Sequence, residues 1–116
     1  MTLREELIKI LEAGLSETTG VYVNAGVDAE AYYSGLRSSI RESLCDPFLV
    51  TAKVMPPGFE EHDEGAELAG YCLAHKAGYW LVYRPEDAAF YCFWGATVST
   101  LGAHGVTGCP LYCWSA

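Results

Sequence analysis

Gly78-Tyr79-Trp80-Leu81-Val82-Tyr83-Arg84-Pro85-Glu86-Asp87-Ala88-Ala89-Phe90-Tyr91-Cys92-Phe93-Trp94-Gly95 reads as two strands and the turn between them. Runs of about five aromatic and β-branched residues bounded by Gly and Pro favour strands. Pro85 suits the second position of a type I turn, so the pair forms a hairpin. Neither run alternates between apolar and polar. Tyr79, Leu81 and Tyr83 point one way while Trp80 and Val82 point the other, so the hairpin is apolar on both faces. It therefore belongs in the middle of a sheet. Its second face is closed by the glycine-rich segment that follows, by another chain, or by nothing.

Upstream, Ala69–Ala74 predicts a strand that turns through His75-Lys76-Ala77-Gly78 into the hairpin, and Phe48–Met55 predicts another that Pro56-Pro57-Gly58 ends. Between these two strands lies the most acidic loop of the chain, Phe59-Glu60-Glu61-His62-Asp63-Glu64-Gly65. Two helices come first. Thr2 and Glu5 form a capping box, and Leu3, Leu7, Ile10, Leu11 and Leu15 follow on one helical face. Asp28 caps a second helix carrying Tyr32, Tyr33, Leu36, Ile40 and Leu44 at helical spacing, which Asp46-Pro47 stops. Val21-Tyr22-Val23 between them is an edge strand or an ordered loop. Arg37 and Arg41 stand one turn apart, a spacing that grips a phosphate or, in the plainer reading, pairs with carboxylates such as Glu42.

Downstream of Gly95, the segment 96–110 carries Gly102, Gly105 and Gly108 and predicts an irregular loop. Leu111–Trp114 predicts a last short strand. The expected fold is α+β in one domain spanning residues 1–116, with two N-terminal helices on one face of an antiparallel sheet of about four to five strands.

At 116 residues and half hydrophobic, the chain suits one compact domain with a core of its own. Fifteen acidic residues against seven basic give a formal charge of −8. An excess of that size argues against nucleic acid and anionic membranes, and fits a basic protein partner or simple solubility. Five cysteines cannot pair completely, and the N-terminus lacks the basic-then-apolar plan of a secretory signal. No apolar run approaches the roughly 20 residues of a membrane span. The expectation is a reduced, cytoplasmic protein.

Catalytic motifs are hard to find. Cys109 and Cys113 lie near His104, and Cys72 near His75, but no nucleophile signature surrounds them. Cys109 and Cys113 with His104 lack the second pair a zinc site needs. The glycines of 102–108 are not followed by Gly-Lys-Ser/Thr, so they build no phosphate loop. No metal and no cofactor is expected.

What remains is surface. Glu60, Glu61, Asp63, Glu64 and Glu67, then Glu86 and Asp87, flank a sheet rich in tyrosine and tryptophan. Carboxylates speed encounter with a basic partner and aromatics anchor a tight interface. The alternative is that the aromatics are core and the acids only solvate the loops. On the interface reading, Tyr79, Tyr83, Tyr91 and Trp94 are the anchors, with Glu60, Glu61, Asp63, Glu64, Glu86 and Asp87 as the charged rim.

The size, the acidity and the runs Tyr-Trp-Leu-Val-Tyr and Phe-Tyr-Cys-Phe-Trp-Gly give the chain the general character of a small bacterial immunity protein, which it resembles. The family meant is that of cognate inhibitors of contact-dependent growth inhibition toxins and other polymorphic toxins. The resemblance implies a non-enzymatic inhibitor that binds and neutralises one basic toxin domain, often a nuclease, in the cytoplasm. It carries no residue role over. Phage inhibitors of host nuclease complexes, such as anti-CRISPR proteins, share the same character. A third reading is a small enzyme or ligand-binding domain using the Gly102–Pro110 loop, with His104 and Cys109 in a pocket.

Overall fold

The structure is a computed structural model that describes residues 2–116. Helix α1 (Leu3–Gly14) starts where Thr2 caps it, its hydroxyl accepting from the Glu5 N–H at 3.1 Å. Glu5 also accepts from the Thr2 hydroxyl through its carboxylate. Helix α2 (Ala29–Glu42) starts at Asp28, whose carboxylate accepts from the N–H groups of Glu30 and Ala31. Arg37 and Arg41 tie the two helices together. Arg37 Nε donates to Leu15 O at 2.7 Å and Arg41 pairs with Glu12 at 3.1 Å. The segment Val21–Val23 is loop.

Five strands follow: β1 (Leu44–Val54), β2 (Glu67–Lys76), β3 (Tyr79–Arg84), β4 (Ala89–Trp94) and β5 (Leu101–Gly108). A short 3₁₀ turn, Val98–Thr100, separates β4 from β5. Helix α3 (Pro110–Ser115) ends the chain. The fold is α+β, and the sheet curls round on itself. Antiparallel ladders join β1 to β2, β2 to β3, β3 to β4 and β4 to β5. A three-pair parallel ladder, Ala52–Leu101 to Val54–Ala103, then closes β5 onto β1 as a barrel.

Closure explains why the hairpin is apolar on both faces. Val82, Tyr91 and Phe93 join Val50, Ala52, Leu68 and Ala103 in a core to which every strand contributes and no helix does. That core is the barrel interior, and its alanines and Cys72 suit so narrow a ring. Leu81, Tyr83, Phe90 and Cys92 face outward, beneath Leu7 and Leu11 of α1, Ile40 of α2, and Leu111 and Trp114 of α3.

Three expectations are corrected. Leu44, read as the last apolar position of the second helix, instead opens β1, because α2 ends at Glu42, and Asp46-Pro47 lies inside that strand. The segment predicted as an irregular loop contains β5. Its glycines sit where neighbouring elements press close: at Gly105 a Cβ would lie 2.6 Å from Gly58 O, and φ is +93°. The predicted terminal strand is instead helical. Pro110 at its first turn is pre-set for a helix, and Leu111, Cys113 and Trp114 bury themselves on the outer core.

Candidate functional site

Barrel topology decides which loops meet. The β1–β2 loop and the β3–β4 turn leave the same end of the ring, because β1 and β3 run the same way and each is antiparallel to β2. The two acidic stretches read from the sequence therefore share one mouth. Glu60, Glu61, Asp63 and Glu64 lie on the first loop, and Glu86 and Asp87 on the second. All six are exposed.

A polar chain links these loops to the interior. The Tyr91 hydroxyl donates to Asp87 and sits 3.2 Å from His62 Nε2. Asp87 in turn accepts from Arg84 at 3.1 Å, and Arg84 also pairs with Glu86. Phe59 packs edge-on against both the His62 and Tyr91 rings, at 5.6 and 5.5 Å between centroids. The long loop is thus folded down over the mouth, leaving a cleft of about 390 Å³ among Glu60, Glu61, His62, Tyr91 and Gly105. Burial, followed by the hydrogen bond to Asp87, pushes the Tyr91 phenol up to about 12. The Arg84 side chain is only 13% exposed, and its Nε, buried, finds no partner.

The predicted aromatic anchors divide. Tyr83 and Tyr91 are 9% and 2% exposed, taken up by the outer and inner cores, so neither is free to anchor a partner. Tyr79 and Trp94 pair with each other across the hairpin. They are five positions from the Arg84–Ala89 pair, about 16 Å along the strands from Glu86 and Asp87. Tyr79 is 37% exposed and packs edge-on against Trp94. Trp94 lines a second, larger opening of about 760 Å³ along the β1–β5 seam, with Leu49, Met55, Val98 and His104. Glu67 lines it too, at the end nearest the acidic mouth.

Sequence reasoning missed Leu49, Met55 and Val98, which nothing marks as exposed until the ring closes. It placed His62 only as one member of the acidic loop and gave Arg84 no role. Arg84 had a legible signal in the carboxylates two and three residues after it.

His104 and Cys109 do not form a pair. His104 Nδ1 lies 3.0 Å from Pro56 O, and its ring packs against Trp94. The Cys109 thiol donates to the carbonyls of Thr19 and Glu17. The two stand five positions apart on mostly extended chain, about 16 Å. Among the described residues, no group of three or more His, Cys, Asp and Glu side chains converges to hold a metal ion. Nor is any helix long and apolar enough to cross a membrane.

No family model, curated protein or solved structure matches this chain.

Proposed function

We propose that this protein is a non-enzymatic inhibitor that captures a basic protein partner, in the manner of an immunity protein neutralising a toxin or nuclease domain. One observation carries the reading. Barrel closure gathers both acidic loops at one mouth, and the Arg84–Asp87–Tyr91–His62 chain fixes their geometry. Fixed carboxylates at one mouth of a chain of charge −8 accelerate encounter with a cationic surface. The opening along the β1–β5 seam, where Leu49, Met55 and Val98 stand exposed near Trp94, adds apolar contact area among its polar lining. Five free thiols suit a reducing compartment such as the cytoplasm.

Co-expression with the products of neighbouring genes, followed by pull-down, identifies the partner. Against that partner, reversing Glu60, Glu61, Asp63 and Glu64 to lysine lowers the association rate and its salt dependence while the fold stays intact. Binding at an unchanged rate in low salt would show that these carboxylates only solvate the loop.

A further inference from the structure

Strand β1 is longer than the seam that closes it. Its ladder with β5 has three pairs, whereas its ladder with β2 continues back to Phe48. Successive residues of a strand aim their backbone groups to opposite sides. Val54 serves the β2 side, donating to Ala66 O and accepting from the Gly65 N–H, both at 2.8 Å. Met55 serves the β5 side, donating to Ala103 O at 2.8 Å. The alternation turns Leu49 and Thr51 toward β5, where the Ala52–Leu101 pair takes up only the Thr51 carbonyl and leaves the Thr51 N–H and both Leu49 groups without a backbone partner. Pro47, two residues before Leu49, has no N–H to offer and belongs at a strand edge. What lies alongside is the seam opening, bordered by Leu49, which is 62% exposed, and Val98, which is 47% exposed.

We propose that an extended, basic segment of a partner protein completes this edge, adding to the barrel as a strand at Leu49–Thr51. The proposal rests on the basic-partner reading above and specifies how the partner is held. Unpaired main-chain groups beside exposed apolar side chains are what strand addition satisfies. Charge selects the occupant. Lys53 and Glu67 both line the opening and offset each other, so the bias comes from the acidic mouth it runs toward and from the overall charge of −8, which favour a cationic segment. A second copy of this chain, also of charge −8, is repelled.

The test uses isotope-labelled full chain and two short, end-capped peptides, one alternating lysine with valine and one alternating glutamate with valine. The lysine peptide shifts the Leu49 and Thr51 amide signals and slows their exchange with solvent. The glutamate peptide binds at least about tenfold more weakly, and Leu49→Lys weakens the lysine peptide by a similar factor. Leu49→Pro, which removes only the N–H on the free side, abolishes the Thr51 response. Signals unmoved at Leu49 and Thr51 overturn the proposal. If shifts then appear only at Glu60–Glu64, the basic-partner reading survives without the edge. If none appear anywhere, both fall. A concentration-dependent dimer that Leu49→Lys dissolves would show instead that the edge pairs with a second copy.

Discussion

Tyr91 is where the interior of the barrel meets its charged mouth. Its ring belongs to the inner core, while its hydroxyl bridges Asp87 and His62. With the folded phenol raised from 10 to about 12, the neutral form is the one the fold favours. The resulting stabilisation is fully present below pH 10 and lost as pH climbs through about 12, an effect of roughly 2–3 kcal/mol. Urea unfolding across the alkaline range, followed with tyrosinate absorbance, reads that limb. Tyr91→Phe removes the tyrosine contribution and leaves the alkaline loss set by buried thiols such as Cys92, which burial pushes up from 9 to about 12. At neutral pH the same substitution costs about 1–3 kcal/mol, because Asp87 and His62 lose their shared partner. An alkaline limb unchanged in Tyr91→Phe would show that the phenol is not the titrating group.

Elements differ in how plainly the sequence announced them. The helices were legible because Thr2 and Asp28 are caps followed by regular apolar spacing. The hairpin was legible because its aromatic runs are bounded by Gly and Pro. Strand β5 was hidden, since Gly102, Gly105 and Gly108 weaken every strand signal and record close approach by other segments. Helix α3 is too short for periodicity, and its aromatic residues imitate a strand, although Pro110 at the first helical position was a usable sign. Gly105 also pins the acidic loop. Gly105→Ala places a Cβ 2.6 Å from Gly58 O at a positive φ, so it should destabilise by about 1–3 kcal/mol and speed proteolysis of residues 56–66. Gly35 is the opposite case: it lies within α2, and a Cβ there meets nothing within 4 Å. Gly35→Ala should stabilise by about 0.5–1 kcal/mol in thermal or urea unfolding, and a loss of stability there would contradict the helix geometry.

For the molecule as a whole, the sequence indicated an acidic face but not the ring that composes it. Local pattern cannot show that β5 returns to β1, because that pairing joins segments about fifty residues apart and leaves no periodic trace. The same omission displaced Tyr91 from core to surface in the sequence reading, since an open sheet has a face to spare and a closed one does not, whereas Tyr83 is buried on the outer face by the helices. The three-pair closure also bears on how the chain assembles. Joining ends so far apart costs entropy before any contact compensates for it, whereas the β1-to-β5 meander can zip up from neighbouring strands. The ring should therefore close late and breathe first, as a split washer gapes at its cut. Native-state hydrogen exchange would find the amides of Lys53, Met55 and Ala103 opening at lower free energy than those of Leu81 and Cys92 in the hairpin. Equal protection on both sides would mean that the barrel opens only by unfolding altogether.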